Sequence, residues 1–219
     1  MIRVEHLHKS YDRWAGPRAL ALDDLSFHVP AGHIAGLVGK NGAGKSTTLK
    51  ILSGQLLPSS GEVWVEGFPV STQPLEVRRR IGFLPETPPL YPEMTVTGYL
   101  VYAARLRGVA GRQAGARVRE VMERLGLVEV ARERLRALSR GFQQRVGIAQ
   151  AIVHGPSVVL LDEPMAGLDP LQIVQTRELV RSLKPQHTVL FSSHILGEIA
   201  SLCDSILLLD GGRLKAQGT

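Results

Sequence analysis

Gly39-Lys40-Asn41-Gly42-Ala43-Gly44-Lys45-Ser46 is the stretch that decides the fold of this chain. It fits G-x-x-x-x-G-K-[ST], the pattern of a phosphate-binding loop (P-loop), at every fixed position. The apolar run Ile34-Ala35-Gly36-Leu37-Val38 before it reads as a buried strand. Ser46-Thr47-Thr48-Leu49-Lys50-Ile51-Leu52 after it reads as a helix that stops at Gly54. Strand, glycine-rich turn and helix is the context the motif needs. Backbone N–H groups from Gly39 through Thr47 and the positive end of the helix form a cradle for anions. Gly42 and Gly44 put no Cβ in the way of phosphate oxygens. Lys45 can reach β- and γ-phosphates, and the Ser46 hydroxyl can ligate Mg²⁺. Alone, the loop says only that a phosphate-rich nucleotide binds here.

Outward from the loop, apolar runs and glycine or proline turns alternate. Ile2 to Leu7 alternates like a half-buried strand. A turn is expected around Asp12, Gly16 and Pro17, with Tyr11 just after the first strand. Ala21 to Val29 reads as a second strand, Glu62 to Val65 as another, and Ile81 to Leu84 as a short one that runs into a proline-rich loop. From Thr95 to about Gly155 the period becomes helical, with Val118, Val121, Met122 and Leu125 on one stripe. After Gly155-Pro156 strands and helices alternate again. Val158 to Leu161, Thr188 to Phe191 and Ile206 to Leu209 read as strands, and Pro170 to about Leu183 and Ile195 to Leu202 as helices. Arg213 to Ala216 follows a hairpin turn at Asp210-Gly211-Gly212.

A length of 219 residues allows one large domain, or one domain with a small inserted subdomain. The chain is 44% apolar and 21% charged, as a soluble globular protein is. Its one cysteine, Cys203, excludes an internal disulfide and a multi-cysteine zinc site; it is expected as a small buried residue on a helix. No apolar run approaches the roughly eighteen residues of a membrane span. The first residues lack the regions of a signal peptide, so a cytoplasmic location is expected. The net charge of +6 is uneven, because Arg105 to Arg145 holds eleven arginines against four glutamates. Nucleic acid or an anionic membrane face would suit such a surplus, and so would a plain solvated helical surface. Phe142 is the only aromatic in that stretch, so the stacking platforms of single-strand binders are missing and nucleic acid is disfavoured as a partner.

Leu160-Leu161-Asp162-Glu163 is a second chemical site. An apolar strand ending in an acid places that acid at the carboxyl end of the sheet, where ligands of open α/β sheets bind. Asp162 is suited to the Mg²⁺ shell, and Glu163, pointing differently, to orienting or deprotonating the attacking water. His194, after a strand, can donate to a γ-phosphate oxygen or be purely structural. Tyr11 can stack on a base or simply pack.

Taken in order, the motifs resemble the nucleotide-binding subunit of an ATP-binding cassette (ABC) transporter. The resemblance runs the length of the chain through Tyr11, Gly39 to Ser46, Glu86, Leu138-Ser139-Arg140-Gly141-Phe142-Gln143-Gln144-Arg145, Leu160 to Glu163, Gly167-Leu168-Asp169 and His194. It implies an α/β P-loop NTPase fold, with a mostly parallel central sheet, an N-terminal antiparallel β subdomain and an inserted all-helical subdomain. The whole chain would be one nucleotide-binding domain, with residues 1–94 and 156–219 as the ATP-binding core and 95–155 as the helical part, all approximate.

The same resemblance implies ATP and Mg²⁺. Tyr11 would stack on adenine, Ser46, Glu86 and Asp162 would serve the metal, Glu163 would be the general base, and His194 would contact the γ-phosphate. Two subunits, identical or different, would sandwich two ATPs. Ser139 and Gly141 would cap the ATP held by the partner, and Asp169 would bridge the sites. A transmembrane permease would dock on the helical part at the cytoplasmic face of the membrane, with the loop after Glu86 transmitting the stroke.

The sequence departs from the family pattern twice. Glu86 stands where glutamine is usual, and Leu-Ser-Arg-Gly-Phe replaces Leu-Ser-Gly-Gly-Gln at residues 138–142. With Ile81 to Val96, the second departure resembles the ATPases of ABC-2 type exporters, of the drug-resistance and gliding export group. Those often continue past the position of Thr219, so a short relative or a truncated chain is expected. Two other readings compete with export. One is a non-transport ABC ATPase acting on nucleic acid or ribosomes. The other is a module that binds ATP without useful turnover.

Overall fold

The computed structural model describes residues 1–11 and 19–218; the turn expected around Asp12, Gly16 and Pro17 lies outside them. β1 (Ile2–Tyr11) and β2 (Ala19–Val29) pair antiparallel, from Ile2 opposite Val29 to Tyr11 opposite Ala19. Strict alternation breaks at His6, whose φ of 47° sits in a register shift, so Leu7 joins Ile2 and Val4 in the core. β3 (Ile34–Val38) is buried at all five positions and leads into α1 (Lys45–Leu52). β4 (Ser60–Val65) and β5 (Phe68–Pro69) complete a four-stranded antiparallel sheet of order β2-β1-β4-β5. α2 (Pro74–Arg80) runs directly into β6 (Ile81–Leu84). Pro74 opens α2, Glu76 lies in its first turn and Arg78, Arg79 and Arg80 in its last, which suits the helix dipole.

Three α-helices separate β6 from β7 (Val158–Leu161): α3 (Val96–Leu106), α4 (Gly111–Arg124) and α5 (Arg140–Ile152). The Thr95 hydroxyl caps α3, accepting from the Gly98 N–H at 3.1 Å. Val118, Val121, Met122 and Leu125 are buried together, as their spacing predicts. Of the eleven arginines between Arg105 and Arg145, all but Arg124 and Arg145 are exposed. α6 (Pro170–Leu183), β8 (Thr188–Ser193), α7 (Leu196–Ala200), β9 (Ser205–Asp210) and β10 (Arg213–Gly218) finish the chain.

The second sheet has the order β10-β9-β3-β8-β7-β6, parallel except for β10. Its strands feed two cores from alternate residues. Ala35, Leu37, Leu160 and Leu190 pack with α1 and the antiparallel sheet. Val38, Leu161, Val189 and Phe191 pack with α3, α5 and α6. Coverage on both faces is why these strands read as unbroken apolar runs.

Three local expectations change. Tyr11 is the last residue of β1 rather than a turn residue after it, because pairing with β2 continues that far. α7 spans five residues, not the eight from Ile195 to Leu202. Cys203 lies past its end, partly buried in a turn rather than on a helix. The turn is forced by the next strand. The Asp204 carboxylate must reach the Ile34 N–H, at 2.8 Å, and the Asp204 N–H must reach the Ile34 carbonyl, also at 2.8 Å.

Candidate functional site

Four parallel strands bring their carboxyl ends to one edge of the sheet, where α/β proteins bind ligands. The phosphate-binding loop follows Val38, Glu86 follows β6, Asp162 follows β7 and His194 follows β8. A cavity of about 510 Å³ opens there, lined by Asn41 to Thr47, Ala21, Glu86, Glu163, Ala166 and His194. That is the size of a small-molecule site.

The loop is held from several sides. Gly44 takes φ 104° at the head of α1, a conformation that L side chains rarely adopt. Gly42 has φ 81°, and a Cβ there would meet nothing within 4 Å, so its outer face is open. The Ala43 N–H donates to the Lys40 carbonyl at 3.1 Å, and the Gly212 N–H supports the Ala43 carbonyl at 3.1 Å. Thr48 Oγ1 donates to the Gly44 carbonyl at 2.9 Å.

Lys45 is 6% exposed. Its Nζ donates to the Gly39 carbonyl at 2.7 Å and to the Lys40 carbonyl at 3.4 Å, and pairs with Glu163 Oε1 at 3.2 Å. The other Glu163 oxygen, Oε2, lies 3.0 Å from His194 Nδ1. One carboxylate is thus strung between the loop lysine and the histidine. Its backbone has φ 48°, which costs a non-glycine residue on the order of 1–3 kcal/mol. Glu163 and its sequence neighbour Asp162 bond to different partners.

Asp162 is 2% exposed and lies beneath the cavity wall rather than in it. Its Oδ1 accepts from Ser46 Oγ at 3.1 Å and from Ser192 Oγ at 2.7 Å. The Ser192 hydroxyl also accepts the Glu163 N–H at 2.8 Å, so one buried side chain fixes both acids. Ser192 is a site residue that the sequence does not single out. Its one signal was a small polar residue at the end of an apolar strand.

Ser46, Asp162 and Glu86 offer hard oxygen donors and no sulfur or imidazole. That donor set fits Mg²⁺, which takes one or two carboxylates and fills its shell with phosphates and water. Among the described residues, no group of three or more His, Cys, Asp or Glu could hold a metal alone. Phosphate oxygens and water would complete the shell.

Other expected site residues stand apart. Tyr11, 40% exposed, is not in the cavity wall, although Ala21 of the paired strand is; Lys9 Nζ lies 5.3 Å from its ring centre. Ser139 caps α5, accepting from the Phe142 N–H at 3.4 Å. Asp169 caps α6, accepting from the Gln172 N–H at 2.8 Å. Ser139 and Gly141 line a separate cavity of about 260 Å³ with Gln172, Gln175 and Thr176.

An anion cradle, a buried cation and a carboxylate held by a histidine are the parts that hydrolysis of a phosphate anhydride needs. Comparison with known proteins agrees. The sequence model described as "ABC transporter" matches residues 22–166. The chain is 39% identical over 201 residues to the ABC transporter ATP-binding protein NatA of Bacillus subtilis (strain 168), covering 90% of this chain and 81% of NatA. It is 37% identical over 196 residues to the bacitracin transport ATP-binding protein BcrA of Bacillus licheniformis, covering 89% of this chain and 63% of BcrA. The dimeric structure of MJ0796, a bacterial ABC transporter cassette, matches with a TM-score of 0.90 at 25% identity, over 100% of this chain and 98% of that one. The same cassette in a post-hydrolysis state, bound to ADP and Pi, gives the same score.

Proposed function

The chain belongs to the ABC transporter family as an ATP-binding subunit and ATPase, and on that premise we propose that it powers export with Mg²⁺-ATP bound between two such subunits. The subunits, identical or different, sit on a transmembrane permease at the cytoplasmic face of the membrane. Among the described residues no helix is long and apolar enough to cross that membrane. Action on nucleic acid or ribosomes is not favoured, since BcrA is named for bacitracin transport and NatA as an ABC transporter protein.

The observation that carries this reading is the chain Lys45–Glu163–His194 along the wall of the phosphate cavity. Phosphates entering the loop meet its N–H groups and compete for Lys45, which releases one oxygen of Glu163. His194 still holds the other. The freed oxygen takes a proton from water as that water attacks the γ-phosphorus, and ADP is the leaving group. Ser46, Asp162 and Glu86 would hold Mg²⁺, which neutralises charge on the phosphates when bound. Ser192 keeps Asp162 facing Ser46 and orients the backbone of Glu163. Tyr11 is assigned to the adenine. Ser139 and Gly141 are assigned to the γ-phosphate held by the partner, and Asp169 to the bridge between the sites.

Glu163→Gln tests the base. Turnover should fall by about 10²- to 10⁴-fold, while ATP still binds and drives a stable dimer. Phosphate release and light scattering read the two effects. Undiminished turnover would remove Glu163 from the mechanism.

A further inference from the structure

Arg140 stands where the family pattern has a glycine, and its side chain has a specific seat. A Cβ built on Gly167 would lie 2.4 Å from Arg140 Cζ and 2.6 Å from each Nη. Near-equal distances mean that the guanidinium lies flat against Gly167. Any other residue at 167 would fill that space, and φ 68° there also favours glycine. Among the described residues, no carboxylate pairs with Arg140. The contact is therefore a stacked plane and not an ion pair.

Arg140 is the first residue of α5, next to Ser139. Gly141 makes a second contact across the same seam, since a Cβ on it would lie 2.9 Å from the Gln172 amide carbon. Arg145 Nη2 donates to Gln175 Oε1 at 2.5 Å, a third. The start of α5 is thus fastened to the start of α6 and to the turn before it. That turn leads straight back to the base. The Ala166 N–H donates to the Glu163 carbonyl at 3.1 Å, and the Leu168 N–H to the Met165 carbonyl at 3.3 Å. Met165 is 2% exposed, so the turn is anchored in the core.

We propose that Arg140 is a positioning residue: seated on Gly167, it ties the Ser139 segment to the turn that carries Glu163. Closure of Ser139 over the partner's ATP then sets the base at the chain's own ATP. The proposal rests on the composite-site reading above. It gives this departure from the family pattern a role, because a glycine at 140 has no side chain to make the link.

The test uses the purified protein and its Arg140→Ala variant. Turnover should fall about tenfold or more, as displacements of a reacting group by about 1 Å do. The Hill coefficient for ATP should drop toward one. ATP affinity of the isolated chain and the thermal unfolding midpoint should not change. Arg140→Lys keeps the charge but not the planar face, so it should stay slow. Arg140→Gln carries the same expectation as alanine and serves where alanine disturbs folding. Wild-type turnover and Hill coefficient in the alanine variant would overturn the proposal, and so would full recovery by lysine. If the Glu163→Gln protein forms no dimer with ATP, the composite-site reading falls and this proposal with it. If that dimer forms while Arg140→Ala turns over normally, only this proposal falls.

Discussion

The wall of the phosphate cavity and the turn that opens α5 are built in opposite ways. In the first, polar groups satisfy one another within a single chain: Ser46 and Ser192 bond Asp162, and Lys45 and His194 grip Glu163. In the second, Ser139, Arg140 and Asp169 are exposed, and their recorded bonds cap helices or pack the seam. The cavity wall is held by bonds within the chain itself. The exposed turn has geometry but no target of its own. On the proposed function, the first region prepares catalysis and the second is offered to a partner copy.

The sharpest way to break this division is to damage each region separately. Lys45→Ala should weaken ATP binding by the isolated chain by about a hundredfold, the scale of losing a bond to a charged group. Ser139→Ala should leave that affinity alone and remove ATP-driven dimerisation. Equilibrium binding at low protein concentration separates the two. A loss of affinity in the serine variant would merge the regions.

Acid offers a second probe, because the strongly shifted histidine lies in neither region. Burial, helped by the charge of Arg107, pushes His154 down to about 4. The fold keeps this imidazole neutral, with Nε2 3.2 Å from the Ile81 carbonyl and Nδ1 buried without a partner among the described residues. The unfolded chain protonates it near 6.5. Its contribution is therefore intact above pH 6.5 and is lost as pH falls toward 4, on the order of 3 kcal/mol in all. Denaturant melts between pH 7 and 4.5 should show that slope, and His154→Asn should reduce it, leaving the part due to His187, which burial also holds below its ordinary range, while nucleotide binding keeps its own pH profile.

The smallest effect sharpens the exposed side. Asp169→Ala removes the cap of α6 and should cost about 1 kcal/mol of stability, read as a drop in melting temperature. Asp169 bonds to none of the residues that hold Lys45, so ATP affinity of the isolated chain should stay at the wild-type value.

Much of the fold was legible because its signals are local. An unbroken apolar strand, a glycine-rich turn and a helix start are contiguous at Ile34 to Leu52, and β7 and β8 announce themselves by composition. β5 and α2 were not legible. One is two residues long and the other seven, with a single buried residue, Val77, so neither shows a period. α7 was read too long because its end is set by Asp204 reaching Ile34, a bond that spans the chain. The phosphate loop, Glu163 and His194, all named from sequence, line one cavity, with Asp162 bonded to Ser46 beneath it. Ser192 was not so named, because its partners come from β7, and no neighbour in sequence marks them.

By itself the sequence determined the phosphate loop, the acids at a strand end and the change from strand to helical period, since each is written within a few consecutive residues. Tertiary structure alone decided that Glu163 is shared between Lys45 and His194, that Ser192 serves both acids, and that Arg140 rests on Gly167. Those contacts depend on strand register and helix packing between segments far apart in the chain. Periodicity specifies each segment's own face but not which atoms of another segment that face will meet.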